Sequence, residues 1–482
     1  MKPVGAGINP RDVSPGITRR TLLSGALAAL PSKRNVLFIA VDDLRPNLGC
    51  YRDRIAKSPN MDRLAAEGIV FERAYCQQAV CGPSRASLLT GLRPDTTRVY
   101  DLKTSFRKAL PHAVSLPEYF KNSGYHAESI GKIFHGDELT LDRPSWSVPE
   151  QYPLLPKRDQ YVLAENKDAN DPWKKMSALE RADVADSAYR DGQIAGAALD
   201  ALERLKGQAF FLGVGFNKPH LPFAAPSRFW DLYDPNQFNL APNHYLAEDA
   251  SRYARQAYSE LRSYADYPEK GLISEVKQRA ALHGYYACVS YIDAQVGKLL
   301  AGLDRLRLAD KTAVVLWGDH GWHLGEQDYW GKTTNFEVCV RAPLLLRVPG
   351  FKGGLRTRAL TEFVDIYPTM VEACGLAPRT GLEGISLMPL FGNPQRHWKK
   401  AAFSQYPRDG VMGYSMRTDR YRYTEWVKPD GSAEEVELYD HARDPNETRN
   451  VAGLAANREL VAELARLRRA GWRAALPEAK RG

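Results

Sequence analysis

Acidic and cationic side chains recur in this sequence at points where buried strands are predicted to end. Each group follows an apolar run rich in β-branched or aromatic residues, and the groups are Asp42 with Asp43, Lys132 with His135, Lys218 with His220, and Asp319 with His320. Because the carboxyl ends of parallel strands meet at one edge of an α/β sheet, these side chains are expected to converge there. Carboxylates favour a hard divalent cation, Ca²⁺ or Mg²⁺, whereas the lysines and histidines favour an anionic substrate. The pattern therefore predicts a combined metal and anion site.

A second chemical signal is the segment from Cys81 to Gly91, which reads Cys-Gly-Pro-Ser-Arg-Ala-Ser-Leu-Leu-Thr-Gly. Pro83 and Ser84 indicate the start of a helix. A cysteine at such a position, close to Arg85, is expected to have a lowered thiol pKa. On the residues alone, Cys81 is either a nucleophile or a buried thiol.

The spacing Cys-x-Pro-Ser-Arg-x-x-x-Leu-Thr-Gly from Cys81 to Gly91 resembles the motif of the type I sulfatases, in which the cysteine is converted to formylglycine. Further segments resemble the iduronate-2-sulfatase branch of that family, and they are Val41–Pro46, Gln77–Cys81, Gly91–Arg98, Gly131–His135, Lys218–Phe223, Asp319–Trp322, Ser404–Pro407 and Tyr421–Thr424. Lys132 and His135 are three residues apart, where many sulfatases have a spacing of two, but this spacing suits the iduronate branch. The central and C-terminal insertions are shorter than those of the animal enzymes, and the cysteine pairs found there are absent.

The resemblance implies a role for each matching residue. One Ca²⁺, with Mg²⁺ as the alternative, would be held by the hydrated aldehyde at position 81 together with Asp42, Asp43, Asp319 and His320. The sulfate oxygens would be neutralised by this metal and by Arg85, Lys132 and Lys332. His220 would protonate the leaving sugar oxygen, and His135 would take a proton from the second hydroxyl of the hydrated aldehyde. Arg98, Trp322 and His323 are expected at the substrate rim.

The implied activity is hydrolysis of a sulfate ester, with the 2-O-sulfate of a terminal uronate in a glycosaminoglycan-type oligosaccharide as the expected substrate. The expected partners are that sulfated carbohydrate and a maturation enzyme that generates formylglycine. Three alternatives stay open. The chain could be a sulfatase for another carbohydrate or an aryl sulfate, a phosphodiesterase or phosphonate monoester hydrolase of the alkaline-phosphatase superfamily, or a binding protein whose cysteine is not converted.

Buried strands alternate with helices along the chain and would position these residues. The strands are predicted over residues 35–41, 69–75, 126–130, 210–216, 312–317 and 343–348, and the helices over 60–67, 116–122 and 274–303. Ser58 is predicted to cap the first of these helices, with Pro59 in its first turn. Such an alternation predicts an α/β fold, with a large, mostly parallel mixed sheet sandwiched by helices. The resemblance implies an alkaline-phosphatase-like arrangement of that sheet.

The sequence changes character after about residue 393. Met412–Val427 is rich in tyrosine, arginine and threonine, which indicates antiparallel strands, and Leu454–Arg469 indicates an amphipathic helix. We therefore predict a catalytic domain over residues 34–393 and a smaller α+β subdomain with an antiparallel sheet over residues 394–482. Two polar segments, 150–186 and 236–271, are predicted as surface insertions that shape the pocket rim.

The composition excludes several classes of protein. The chain has 482 residues and a formal net charge of +9, but residues 1–34 carry a net +5 and residues 453–482 a net +4, so the region between them is neutral. This distribution argues against a nucleic-acid-binding surface, and no apolar run is long enough to span a membrane. The six cysteines are widely spaced, which favours buried thiols.

The first residues resemble an export signal. Arg19 and Arg20 precede the short apolar stretch Leu22–Leu30, as in a twin-arginine leader. Residues 1–33 are therefore predicted to be a signal or disordered leader of a periplasmic or secreted bacterial protein. A leader without function would leave the protein in the cytoplasm.

Overall fold

The structure, a computed structural model, describes residues 33–136, 139–152, 157–167, 176–256 and 259–478. The predicted leader, apart from Lys33, lies outside these residues. The strands are β1 Asn35–Val41, β2 Ile69–Phe71, β3 Ala74–Tyr75, β4 His126–Gly131, β5 Leu179–Ala182, β6 Phe210–Phe216, β7 Phe223–Pro226, β8 Thr312–Gly318, β9 Leu344–Arg347, β10 Leu355–Thr357, β11 Thr361–Glu362, β12 Ala401–Arg408, β13 Val411–Thr418, β14 Tyr421–Val427 and β15 Ala433–Asp440. The α-helices are α1 Pro59–Glu67, α2 Cys81–Thr90, α3 Pro94–Thr97, α4 Phe106–Ala109, α5 Leu116–Asn122, α6 Arg190–Leu205, α7 Ser227–Trp230, α8 Glu275–Arg305, α9 Glu337–Val340, α10 Ile366–Ala373, α11 Pro389–Gly392 and α12 Arg458–Ala474.

The main sheet has seven strands in the order β10-β2-β9-β8-β1-β6-β4. β1 pairs in parallel with both β6 and β8, and β4 extends the parallel arrangement beyond β6. β9 runs antiparallel to its neighbours β2 and β8. The predicted mixed, mostly parallel sheet is therefore confirmed.

Helices cover both faces of this sheet. Alternate side chains of β1 point to opposite sides, so that Leu37 and Ile39 share a core with α1, α6 and α8, whereas Val36 and Phe38 share a core with α2, α5 and α10. Because both faces are covered, every residue of β1 is buried, and the strand is continuously apolar rather than alternating.

Two local predictions need correction. The strand predicted over residues 69–75 is two strands, since the chain turns at Glu72 and Arg73 and β3 then pairs with β11 in a separate sheet. Ser58 does precede α1, but its hydroxyl accepts a hydrogen bond from the Gly49 amide at 2.9 Å instead of capping the helix. The helix therefore starts at Pro59 without a side-chain cap.

The C-terminal region contains the predicted antiparallel sheet, with its strands in the order β12-β13-β14-β15. α12 packs on it through Leu464 and Ala465. The predicted insertion over residues 236–271 is not confined to the surface, because Leu261 and Tyr264 are buried in the core of the main domain. Among the described helices, none is both long and apolar enough to cross a membrane.

Candidate active site

The groups predicted from strand ends converge at the carboxyl edge of the main sheet. Asp42 and Asp43 follow β1, Lys132 follows β4, and Asp319 follows β8. Lys132 Nζ donates to Asp42 Oδ2 at 2.5 Å, and the Asp43 amide donates to Asp319 Oδ1 at 3.0 Å. Side chains from three strands therefore form one cluster.

Cys81 is the first residue of α2 and lies inside this cluster. Its Sγ is 3.3 Å from Asp42 Oδ1 and 3.3 Å from His320 Nε2, and the residue is only 2% exposed. The expected lowering of the thiol pKa is wrong, because burial and the charge of Asp42 raise the pKa of Cys81 well above its ordinary value. An unmodified thiol here is neutral and therefore a poor nucleophile.

The buried donor set fits a hard divalent cation. Ligand atoms of Asp42, Cys81, Asp319 and His320 all lie within 4.8 Å of one another, and Asp43 Oδ1 is 3.5 Å from His320 Nε2. His320 Nδ1 is 2.9 Å from the Gly321 carbonyl oxygen, which can only accept, so Nδ1 is the donor and the lone pair of Nε2 faces the cluster. Burial lowers the pKa of His320, and the neutral ring is the form that ligates a metal.

Asp43 is held in a costly conformation and a costly environment. Its backbone is left-handed, with φ of 57°, and the Tyr285 hydroxyl donates to its carbonyl oxygen at 2.9 Å. Such strain costs about 1–3 kcal/mol and is typical of functional sites. Burial and the charges of Asp42 and Glu260 raise the pKa of Asp43, although Lys332 opposes them. A cation bound here would relieve this crowding of carboxylates.

Each lysine of the site points into the cluster and is almost fully buried. Gly131 ends β4 with a φ of 84°, and a Cβ at this position would lie 2.1 Å from the Gly215 carbonyl oxygen, so only glycine lets the chain turn towards Lys132. Lys332 Nζ is 2.8 and 2.9 Å from the two oxygens of Asp43 and 5.1 Å from the centre of the Trp322 ring.

Arg85 lies within the cluster, and its expected contact with the sulfate stays a prediction. Its guanidinium is fully buried and donates to Asp319 Oδ2 at 2.8 Å and to the Ile133 carbonyl at 3.1 Å, as well as to the Lys132 carbonyl. These protein acceptors surround the group. Arg85 therefore orients Asp319 and offsets the charge of the carboxylates.

The two predicted proton-transfer residues lie at the same edge. Asp191 anchors the loop that carries His220 by accepting from the amides of Asn217 at 2.7 Å and Lys218 at 3.2 Å. His220 Nδ1 is 2.6 Å from the Leu221 carbonyl, which leaves Nε2 towards Asp43 Oδ2 at 3.9 Å. Burial and the charge of Lys132 lower the pKa of His135 to about 3, so its ring is neutral.

Sequence reasoning missed Glu260 and Asp191. Glu260 Oε2 is 3.4 Å from Lys332 Nζ, and Glu260 Oε1 is 3.6 Å from His220 Nε2. Glu260 lies in an irregular insertion without a motif, so the only available signal was the prediction that residues 236–271 shape the rim. Asp191 precedes Asn217 by 26 residues, and no local pattern connects them.

The predicted rim is only partly exposed. Arg98 is at the surface, but Trp322 is 1% exposed and His323 is fully buried. Both ring nitrogens of His323 are engaged, Nδ1 at 3.0 Å from the Glu326 carbonyl and Nε2 at 2.8 Å from the Thr334 hydroxyl. Trp322 and His323 therefore do not form an exposed rim in this structure, and their contact with substrate stays a prediction. Trp322 packs beneath Lys332, and His323 supports the loop.

Comparison with known proteins agrees with this geometry. The family model described as Sulfatase matches residues 34–376, and the model described as N-sulphoglucosamine sulphohydrolase, C-terminal, matches residues 325–470. The iduronate 2-sulfatase of Mus musculus is 36% identical over 501 aligned residues, which cover 86% of this chain and 90% of that protein.

Two solved structures share the fold. One is a complex of a protein with its substrate D-glucosamine-2-N,6-O-disulfate, with a TM-score of 0.76 and 23% identity over 92% of this chain and 98% of that chain. The other is a phosphonate monoester hydrolase from Silicibacter pomeroyi, with a TM-score of 0.76 and 22% identity over 92% of this chain and 96% of that chain. At this identity the two show only the fold, and the matched family model and the mouse relative decide between the chemistries. The chain therefore belongs to the sulfatase family, on the iduronate-2-sulfatase branch, and is a sulfuric ester hydrolase.

Proposed function

We propose that this sulfatase acts through formylglycine formed from Cys81 and removes the 2-O-sulfate of a terminal uronate in a glycosaminoglycan-type oligosaccharide. The observation that carries the first part is the position of the Cys81 Sγ, which lies 3.3 Å from Asp42 Oδ1 and 3.3 Å from His320 Nε2. Oxidation of Cys81 supplies a hydrated aldehyde, whose one hydroxyl attacks sulfur and whose other hydroxyl allows sulfate to be expelled. The maturation enzyme that oxidises Cys81 is the proposed protein partner.

The metal in this proposal is one Ca²⁺, with Mg²⁺ as the alternative. The oxygen on position 81 would complete a site formed by Asp42, Asp43, Asp319 and His320. A bound cation supplies Lewis-acid polarisation of the sulfate oxygens. Lys132 and Lys332, whose ammonium groups already point at Asp42 and Asp43, would stabilise the charge that develops on those oxygens.

Two histidines would move the protons. His220 Nδ1 donates to the Leu221 carbonyl, so Nε2 carries a proton only in the doubly protonated ring. In that form His220 would give the proton on Nε2 to the oxygen of the leaving sugar. His135 would accept the proton released when sulfate leaves. This role is supported by its Nδ1, which is buried without a hydrogen-bond partner among the described residues.

The substrate part of the proposal rests on the branch to which the chain belongs. The mouse relative is named an iduronate 2-sulfatase, and the 2-O-sulfated uronate is proposed for this chain by that likeness. Hydrolysis of phosphonate monoesters is not favoured by any observation at the site, because the phosphonate monoester hydrolase of 22% identity shares only the fold. The ratio of kcat/KM for a sulfate ester to that for a phosphonate monoester measures the preference directly.

Three further expectations stay predictions. They are the division into a catalytic domain over residues 34–393 and a subdomain over residues 394–482, the export leader over residues 1–33, and a periplasmic or secreted location.

Mass spectrometry tests the proposal about Cys81. Trypsin should release Ala74–Arg85, a peptide that contains Cys76 as an internal control. In active enzyme produced with a maturation enzyme, we expect one alkylated thiol, at Cys76, and an aldehyde at position 81. Two alkylated thiols in fully active enzyme would contradict the proposal. Cys81→Ala should fold normally and lack activity.

A further inference from the structure

Glu260 occupies a position fixed by the core. It begins the 3₁₀ turn Glu260–Ser263, and the next residue, Leu261, is fully buried. The Leu261 amide donates to the Trp330 carbonyl at 3.2 Å, which fastens the turn to the segment that carries Lys332. The placement of the Glu260 carboxylate is therefore built into the packing of the insertion.

The carboxylate lies between two cationic or ionisable groups of the site. Oε1 is 3.6 Å from His220 Nε2, and Oε2 is 3.4 Å from Lys332 Nζ, with the Glu260 side chain 21% exposed. His220 Nδ1 is engaged by the Leu221 carbonyl, so rotation of the ring would break that bond. Nε2 is the nitrogen that faces both Glu260 and the pocket.

We infer that Glu260 is a positioning residue for proton donation by His220. The Glu260 carboxylate orients the Nε2–H of His220 and lies between His220 and the ammonium group of Lys332. The inference rests on the proposed role of His220. In that step the bond between sulfur and the bridging ester oxygen breaks, and its electron pair stays on that oxygen. The proton passes from Nε2 of the doubly protonated His220 ring to the same oxygen, so the alcohol leaves neutral and the ring becomes neutral. The hydroxyl oxygen on position 81 forms the new bond to sulfur and gives its proton to Asp42, whose Oδ1 lies 3.3 Å from the Cys81 Sγ.

Aryl sulfates with different leaving groups test this inference without any sugar contact. 4-Nitrophenolate leaves readily without a proton, whereas the phenolate of phenyl sulfate needs one. We expect Glu260→Gln to lower kcat/KM for phenyl sulfate on the order of tenfold, which is less than the full contribution of a general acid. The kcat/KM for 4-nitrophenyl sulfate should change by less than about twofold. Glu269→Gln is the matched control, because Glu269 is an exposed acid of the same insertion, and both rates should stay unchanged.

A double-mutant cycle with His220→Ala shows whether Glu260 acts through His220. We expect Glu260→Gln to cause no further loss on phenyl sulfate once His220 is absent. An additive loss would overturn the inference, and so would an equal loss on both substrates, which a general defect in folding or in Lys332 would cause. Urea unfolding of each variant provides the measure of folding.

The same data separate this inference from the proposed function. If His220→Ala shows no difference between the two leaving groups, the proposed acid role of His220 fails and the inference fails with it. If His220→Ala shows the difference and Glu260→Gln does not, the inference alone is overturned.

Discussion

Each lysine of the site forms a short ion pair with one of the two adjacent aspartates, Lys132 with Asp42 and Lys332 with Asp43. The charges of Lys132, His220 and Arg85 lower the pKa of Asp42 against the effect of burial, whereas burial and neighbouring carboxylates raise the pKa of Asp43. The pKa values of these two adjacent carboxylates are therefore shifted in opposite directions. Asp43 is the one that gains most from a bound cation.

Asp43→Asn tests this difference. Asparagine tolerates the left-handed backbone at this position and removes only the charge. We expect the variant to lose most of its metal content by elemental analysis. Wild-type enzyme should gain stability with Ca²⁺ by mass action, about 2.7 kcal/mol at a hundred times Kd, and the variant should not.

Unfolding of both proteins in the presence of a chelator separates the effect of metal binding from the effect of the substitution itself. Without metal, Asp43→Asn should have a free energy of unfolding equal to or above that of the wild type, because the substitution removes a crowded buried carboxylate. The loss of the ion pair with Lys332 acts in the opposite direction. His320→Gln should bind metal more weakly but retain part of it. Full metal content in Asp43→Asn would contradict the assignment of Asp43 as a ligand.

Most of these residues could be predicted from the sequence because each belongs to a local pattern. Asp42 and Asp43 follow an apolar run, and Cys81 lies in a specific motif. Glu260 and Asp191 act through contacts between residues far apart in the chain, which no local pattern records. His323 was misplaced because it follows the Asp319–Trp322 segment, whereas its side chain turns towards Thr334 and the Glu326 carbonyl.

At the scale of elements, the antiparallel sheet fixes the segment that carries Lys332. Arg422 of β14 donates to Glu447 Oε1 at 2.6 Å and to Glu337, the first residue of α9. His441 Nε2 is 2.9 Å from the same oxygen of Glu447. Glu337, His441 and Glu447 could hold a metal by their spacing, but the guanidinium of Arg422 already supplies their positive charge.

Arg422→Met should therefore destabilise the protein. Removing one partner of a buried ion network leaves the other charges unpaired, and we expect a loss of about 3–5 kcal/mol in the free energy of unfolding from urea titration. Arg420→Met is the matched control, because Arg420 belongs to an exposed pair with Asp440, and the change there should be small. Equal effects of the two substitutions would contradict this account.

A second buried network makes stability depend on pH. Burial opposes ionisation of Glu362, but the charges of Arg93 and Lys399 outweigh it and lower the pKa of Glu362 to about 2 from an ordinary value of 4.5. The stabilisation from this group is therefore complete above 4.5 and is lost as the pH falls towards about 2. The difference in unfolding free energy between wild type and Glu362→Gln should shrink over that range. A difference that is constant with pH would argue against the ion pairing.

The elements predicted best are those whose sequence pattern is local and uninterrupted. β1, β6 and α5 have the predicted bounds, since each is a continuous apolar or amphipathic segment with a clear stop. The strand predicted over residues 69–75 divides because β3 pairs with β11, nearly 290 residues further along the chain, which no local pattern could indicate. The insertion over residues 236–271 packs into the core through Leu261 and Tyr264. The polar composition of the segment as a whole gave no sign of this packing.

At the scale of the whole molecule, the selectivity for a uronate depends on which cations remain available at the pocket. A uronate carries a carboxylate in addition to the sulfate, so its recognition requires a further cationic group. His323, expected at the rim, is buried, and Lys332 is paired with Asp43 and Glu260. Arg98, exposed at the end of α3, is the remaining candidate.

Arg98→Gln should therefore weaken the cleavage of uronates in particular. A charged hydrogen bond contributes about 1.5–3 kcal/mol, so kcat/KM for a 2-O-sulfated uronate disaccharide should fall by roughly ten- to a hundredfold. The same disaccharide with its carboxyl reduced to an alcohol should be cleaved equally by both enzymes. Arg52→Gln is the matched control, since Arg52 is also an exposed arginine with a left-handed backbone at a helix end. If a 6-O-sulfated hexosamine or an aryl sulfate is cleaved more efficiently than the uronate, the uronate assignment is wrong, although sulfate ester hydrolysis through position 81 would still hold.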